Sequence, residues 1–99
     1  CYTRRGANND HIPRNRAPLF IGQVDPGRLC IVRDTEQVLV PERGAMLGNF
    51  GAAFITGNES WVTDAEFMIG DQPHSRGADG SVWIARVRWS KPNLIAMPV

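Results

Sequence analysis

Residues 81–89, SVWIARVRW, carry the clearest strand pattern in the chain and decide its fold class. Side chains alternate along them with a period of two, which is how a β-strand distributes side chains between its two faces. One face carries Val82, Ile84, Arg86 and Arg88, and the other carries Trp83, Ala85, Val87 and Trp89. Asp79-Gly80 supplies turn chemistry before the stretch, and Pro92 ends it. The stretch therefore predicts a β-strand.

Residues 59–68, ESWVTDAEFM, repeat this alternation upstream. Trp61, Thr63, Ala65 and Phe67 fall on one side, and Val62, Asp64, Glu66 and Met68 fall on the other. A helix is the competing interpretation. The tryptophan, valine and threonine of this stretch, with Gly57-Asn58 as a tight turn in front, favour a strand.

Further strand patterns occur upstream, separated by turns and polar loops. Strands are expected over residues 17–24, 28–33, 37–40 and 52–56. Asp25-Pro26-Gly27 joins the first two as a β-hairpin, because proline presets φ and glycine tolerates positive φ. Residues 41–51 and 70–80 are expected to be connections, and no long helix is predicted. The sequence thus predicts an all-β, antiparallel meander of about five or six strands.

Composition excludes several classes of partner. The chain has 11 Lys+Arg against 10 Asp+Glu, so its charge gives no reason to expect nucleic acid, and no apolar run is long enough for membrane insertion. Its basic side chains are almost all arginine, which suits recognition of carboxylates or phosphates, although a GC-rich coding bias would give the same composition. We expect no metal, because His11 and His74 belong to no spaced ligand set, and no cofactor. Cys30 lies in an apolar run and is expected to be buried.

The loop before the first strand is the leading candidate for a functional site. Asp10, His11, Arg14 and Arg16 lie within seven positions and lead directly into Leu19-Phe20-Ile21. A strand can fix such a loop in place, so that the loop carries chemistry. The alternative is a solvated loop whose arginines pair with nearby acids.

Residues 14–51, RNRAPLFIGQVDPGRLCIVRDTEQVLVPERGAMLGNFG, followed by ESWVTDAEFM and ADGSVWIARVRW, resemble the C-terminal part of bacterial sialidase-like proteins. These belong to the BNR-repeat, exo-α-sialidase-type superfamily. The resemblance covers residues 2–93 and implies part of a six-bladed β-propeller of four-stranded blades. This chain would hold about one and a half blades, with 1–40 ending the penultimate blade and 41–99 forming the last. The repeat's Asp-box is only partly present, because Asp79, Gly80 and Trp83 remain without its full pattern.

The resemblance implies a glycoside hydrolase that holds a sugar carboxylate by arginines and uses a Tyr–Glu nucleophile with an aspartate acid/base. Arg16, in the sequence Arg-Ala-Pro, resembles the Arg-x-Pro context of sialidase pockets. We therefore expect Arg16 to be the anion anchor, with Arg14 beside it as a second substrate-binding residue. The alternative for Arg16 is a salt bridge to Asp25 or Glu42.

Three residues are candidates for catalysis. Asp10 and His11 could act as acid/base or donate hydrogen bonds to substrate, or they could cap a turn. Glu66 is a carboxylate among apolar neighbours, which requires a partner or a raised pKa. Its alternative is a salt bridge with Arg86 or Arg88 on the next strand.

The expected partners are a glycan substrate and the rest of the propeller chain. The opening sequence, Cys1-Tyr2-Thr3, is typical of the middle of a domain, so a fragment that is inactive alone is expected. Two other functions stay open: a non-catalytic propeller that binds glycan or protein, and a small autonomous β-domain that binds through an edge strand.

Overall fold

The computed structural model describes residues 1–70 and 72–92 and contains six strands. They are β1 (Leu19–Asp25), β2 (Cys30–Val40), β3 (Met46–Leu47), β4 (Gly51–Thr56), β5 (Glu59–Phe67) and β6 (Val82–Arg88). A 3-10 turn covers Pro13–Asn15, and a single helical turn, α1, covers Gln72–Ser75. The strand pairings are antiparallel. The predicted all-β, antiparallel class is confirmed.

Strands β1 and β2 form the predicted hairpin. Oδ1 of Asp25 accepts hydrogen bonds from the Gly27 and Arg28 N–H groups, at 3.0 and 3.1 Å, which closes the turn. The two strands predicted over 28–33 and 37–40 are instead one continuous strand with an irregularity in the middle, where the ladder passes from Val32 opposite Gln23 to Gln37 opposite Ile21. Thr35 at this point accepts a hydrogen bond from the Gln23 N–H at 2.7 Å. Cys30 was wrongly predicted to be buried, since it begins β2 at the exposed end of the hairpin.

Strand β5 is the centre of the second sheet. β6 pairs along one edge, with Asp64 opposite Trp83, and β4 pairs along the other. Strand β3 continues the β4 edge, and Leu47 lies opposite Glu66. The prediction of a plain connection over 41–51 was therefore wrong at β3, a two-residue strand that buries Leu47. The glycines on either side of this strand gave no strand pattern in the sequence.

The core joins the base of the hairpin to one face of the second sheet. It contains Ile12, Ala17, Leu19, Val40, Leu47 and Val62. Trp83, Ala85 and Val87 pack against it from β6. On the opposite, outer face, Val82 and Ile84 are 73% and 53% exposed, which confirms the predicted alternation. The side chains on the inner face of β5 therefore face the base of the hairpin.

The three tryptophans differ in their surroundings. Trp83 packs against the core, whereas Trp89 is 43% exposed and Trp61 lies on the outer face, with its ring centre 5.9 Å from the Arg86 guanidinium. No helix in residues 1–70 and 72–92 is long and apolar enough to cross a membrane. The first sheet ends at Val40, where a division at 40/41 was expected, and the assignment of the two parts to propeller blades stays a prediction.

Candidate functional site

A cavity of about 170 Å³ opens where the loop before β1 meets the link between β3 and β4. Its walls are formed by Thr3, Arg16, Leu19, Gly48, Asn49, Phe50 and Asp64. It contains one cation and one buried carboxyl group, held by different segments of the chain. We call it the Arg16 pocket.

Asn9 fixes the loop that carries Arg16. Its side chain is fully buried, and its Nδ2 donates to the carbonyl groups of Arg4 and Ala17 at 2.8 and 2.7 Å, with a longer contact to Asn15 at 3.3 Å. Buried backbone carbonyl groups need such partners, because each unpaired one is costly. One amide thus ties together the two ends of the loop and holds Arg16 next to the core.

Arg16 is held at the pocket by neutral groups. Its carbonyl accepts from the Leu47 N–H at 2.7 Å, and its Nη2 donates to Oδ1 of Asn49 at 2.8 Å. The predicted alternatives, a salt bridge to Asp25 or Glu42, are wrong, because Asp25 closes the hairpin turn and Glu42 pairs with a histidine. The guanidinium therefore keeps a positive charge that no carboxylate of the described residues contacts in a salt bridge.

Asp64 is the second charged group of the pocket and was not among the sequence candidates. The residue is 4% exposed, and its Oδ1 accepts from the Ala65 N–H at 2.8 Å. Its Oδ2 is buried and has no hydrogen-bond partner in the described part of the chain. Burial raises the pKa of Asp64, and the Ala65 N–H and the charge of Arg16 oppose that rise. This carboxyl group can hold a proton or accept a donor from a ligand.

The other predicted loop residues do not reach this pocket. Nε2 of His11 lies 3.0 Å from Oε1 of Glu42, and His11 lines a separate cavity of about 210 Å³ with Pro13 and other residues. Asp10 and Arg14 are exposed and line neither cavity. Of the loop candidates, the structure brings Arg16 alone into the Arg16 pocket, and catalytic roles for Asp10 and His11 stay predictions.

Glu66 is buried and fully engaged. Arg43 donates to its two carboxylate oxygens from Nε and Nη2, both at 2.8 Å. The backbone N–H groups of Asp79 and Ser81 donate to Oε1 at 3.2 and 3.0 Å. The Arg43 guanidinium lowers the pKa of Glu66 to about 2, despite burial. These contacts fasten the loop before β6 onto β5.

The partners predicted for Glu66 were wrong. Arg86 and Arg88 lie on the outer face, where they contact Glu59 at 3.2 and 3.4 Å. Arg43, in the segment 41–51 that was predicted to be a connection, reaches the inner face, and its guanidinium lies 5.1 Å from the ring centre of Trp83. The predicted alternative for Glu66, an ion pair with an arginine, was therefore correct in kind, but the arginine is Arg43.

A tyrosine–glutamate pair joins the N-terminal segment to β2. The hydroxyl of Tyr2, the single tyrosine, donates to Oε1 of Glu36 at 2.8 Å. Arg4 also binds this carboxylate, from Nε and Nη2 at 2.8 Å each. Arg4 is the main cause that lowers the pKa of Glu36 to about 2, whereas burial and Glu36 raise the pKa of Tyr2. Thr3, the residue that follows Tyr2, lines the Arg16 pocket, so Tyr2 is adjacent in sequence to a residue of the pocket wall.

The omission of Asp64 could have been avoided. Asp64 lies two residues before Glu66 on the same face of an alternating strand, so the same apolar neighbours mark both carboxylates. Only the partners differ: the donors to Glu66 come from distant segments, whereas the donor to Asp64 is the N–H of the next residue, Ala65.

Comparison with models of protein families, with curated protein sequences and with solved structures finds no match to this chain. In residues 1–70 and 72–92 no group of three or more His, Cys, Asp or Glu side chains could hold a metal ion. The chemistry available to the Arg16 pocket is therefore that of a guanidinium, an amide and a buried carboxyl group.

Proposed function

We propose that this chain forms the C-terminal portion of a sialidase-like glycoside hydrolase and that Arg16 binds the carboxylate of an acidic glycan. The observation that carries the proposal is the placement of Arg16 in a cavity, with its guanidinium bonded to the neutral Asn49. An arginine that was already paired with a carboxylate would bind an added anion much more weakly, because its positive charge would be neutralised.

The chemistry of the pocket suits one carboxylate and the adjoining part of a sugar ring. A guanidinium presents parallel N–H donors that match a carboxylate, and such charge-assisted bonds are about twice as strong as neutral ones. The volume of about 170 Å³ is below the range of about 300–1,000 Å³ common for whole small molecules. The pocket would therefore hold the acidic end of a glycan, while the remainder of the sugar extends out of it.

The Tyr2–Glu36 hydrogen bond supports a glycosidase in particular. Sialidases are exceptions to the two-carboxylate scheme because their nucleophile is a tyrosine. Glu36 accepts the hydrogen bond of the Tyr2 hydroxyl and would receive its proton when Tyr2 attacks, although Arg4, by lowering the pKa of Glu36, makes it a weaker base. In this proposal Arg16 binds and Tyr2 attacks. Asp10 and His11 lie outside the Arg16 pocket, so the acid/base group would come from another part of the intact parent protein.

The exposed apolar face of the second sheet supports the propeller assignment. Phe67, Val82 and Ile84 are each more than half exposed there. Propeller blades pack face to face around a channel, and a neighbouring blade would cover such side chains. The chain would then supply one wall of a pocket that other blades complete.

The binding test uses isothermal titration calorimetry with the α-methyl glycoside of N-acetylneuraminic acid and with its methyl ester. Loss of one charge-assisted hydrogen bond costs about 1.5–3 kcal/mol, so Arg16→Ala should weaken binding of the acid by about 10- to 100-fold. Arg28→Ala is the matched control, because Arg28 is an exposed arginine in the hairpin turn and lies outside the pocket. Equal affinity of the wild-type and Arg16→Ala proteins would refute the anchor.

The catalytic test uses Tyr2→Phe in the intact parent protein with a chromogenic sialoside. Turnover should be lost while affinity for the methyl glycoside is kept, since the hydroxyl attacks but does not anchor. Unaltered turnover would remove Tyr2 from the mechanism.

A non-catalytic glycan-binding protein is the second candidate. One observation favours it: Glu66, a predicted catalytic acid, is occupied by Arg43 and two backbone N–H groups. Binding of the acid without turnover in the intact parent protein would select this candidate.

A further inference from the structure

We infer that Asp64 is protonated when the Arg16 pocket holds a carboxylate ligand, so that binding takes up a proton wherever Asp64 is ionised in the free protein. This rests on the proposed function, because it requires that Arg16 anchors an anion. It adds a second recognition residue to the pocket and makes its affinity for acidic ligands depend on pH.

The geometry places two carboxyl groups in one small space. Arg16 and Asp64 line the same cavity of about 170 Å³, so a carboxylate seated on the guanidinium lies in the space that Asp64 also borders. Oδ2 of Asp64 is buried and has no donor in the described residues. Two ionised carboxylates in one poorly hydrated site repel each other, and one of them then holds a proton.

Among the described residues, the surroundings of Asp64 offer no second cation to offset the charge of a ligand. Arg16 is the charged group whose field reaches Asp64. Asn49 and Thr3 are neutral, and Trp83, opposite Asp64 on β6, is neutral as well. On β5 itself, Glu66 is neutralised by its ion pair with an arginine.

Ligand binding changes this balance in one direction. In the free protein, the positive charge of Arg16 favours the ionised form of Asp64, and burial opposes it. A carboxylate bound to Arg16 brings one negative charge, which offsets the positive charge of Arg16 at Asp64, while burial is unchanged. This change favours the neutral acid, whose Oδ2–H can then donate to an oxygen of the ligand.

Linkage gives the measurable consequence. Above the pKa of Asp64 in the free protein, affinity for a carboxylate should fall toward tenfold for each pH unit, because one proton must be taken up with each ligand. An uncharged ester brings no repelling charge, so its weaker binding should show no such fall.

The experiment titrates the α-methyl glycoside of N-acetylneuraminic acid into the protein by calorimetry between pH 5 and 8. Each pH is measured in two buffers that differ in ionisation heat, which counts the protons taken up. Uptake should approach one proton per ligand at the upper pH values, with the corresponding fall in affinity. Binding with a constant affinity and no uptake would overturn the inference and leave the proposed function standing.

Asp64→Asn provides the mutational test, because the amide is a permanent neutral donor of similar shape. It should bind the acid with an affinity independent of pH and without proton uptake. Glu59→Gln, on the opposite face of β5, is the control and should keep both effects. If Asp64→Asn does not fold, the two-buffer measurement on the wild-type protein decides. Absence of any binding at every pH would refute the proposed function and this inference with it.

Discussion

Glu66→Gln tests how much stability the buried ion pair to Arg43 provides. The substitution keeps the shape of the side chain but removes the charge that receives four N–H donors. One pKa unit corresponds to about 1.4 kcal/mol. The fall in the pKa of Glu66 from 4.5 to about 2 is therefore equivalent to about 3 kcal/mol of folding stability. The Arg43 side chain is 28% exposed and can be rehydrated, so we expect a loss of about 2–3 kcal/mol at pH 7.

The dependence on pH follows from the direction of this shift. The pKa of Glu66 is lower in the folded protein than in the unfolded chain, so its contribution is fully present above the unfolded value. The contribution declines as the pH falls below about 4.5 toward the folded value of about 2. The wild-type and Glu66→Gln proteins should therefore differ most at neutral pH and converge in acid.

Urea unfolding from pH 7 to pH 2.5, followed by tryptophan fluorescence, measures both quantities. Trp83 is a suitable reporter, because the Arg43 guanidinium lies 5.1 Å from its ring centre. Glu59→Gln is the matched control. Glu59, which is also on β5, pairs with Arg86 and Arg88 of β6, and the side chains of these arginines are 53% and 73% exposed. Solvent screens such pairs, so the control should change stability little. Equal losses for the two variants, or a Glu66→Gln deficit that does not shrink in acid, would refute the reasoning.

Three further substitutions test the turns and loops. Leu29→Asn should raise the free energy of unfolding by about 0.5–1 kcal/mol, since Leu29 is 84% exposed with φ 53°; a lower melting temperature would contradict this. Asn9→Ala should cost about 2–4 kcal/mol in urea unfolding, because it removes the hydrogen bonds that close the Arg16 loop, and a loss below about 0.5 kcal/mol would contradict that role. Gly44→Ala should cost more than Gly77→Ala: both glycines have positive φ, but a Cβ at Gly44 would lie 2.6 Å from Cβ of Arg76, whereas nothing lies within 4 Å at Gly77. Equal changes in melting temperature for this pair would exclude the steric explanation.

The sequence predicted the elements better than their long-range partners. Strands β5 and β6 follow from alternation, because a period of two is a local property of the chain. Strand β3 was missed because two residues between glycines carry no period at all. The partner of Glu66 was missed because Arg43 is 23 residues away and reaches the inner face from a turn, which local spacing does not encode.

Asp64 and Glu66 show how similar sequence signals lead to different roles. Both are acids on the inner face of β5, and both are buried, at 4% and 7% exposure. Glu66 has its hydrogen-bond donors within the chain, so its pKa is lowered and these contacts stabilise the folded protein. Asp64 keeps one oxygen without a donor and borders a cavity with a cation across it, so burial raises its pKa. A buried carboxyl group without a donor is less favourable than an apolar side chain in the same place. Under the proposed function, a ligand bound at Arg16 would supply the partner that Oδ2 of Asp64 lacks among the described residues.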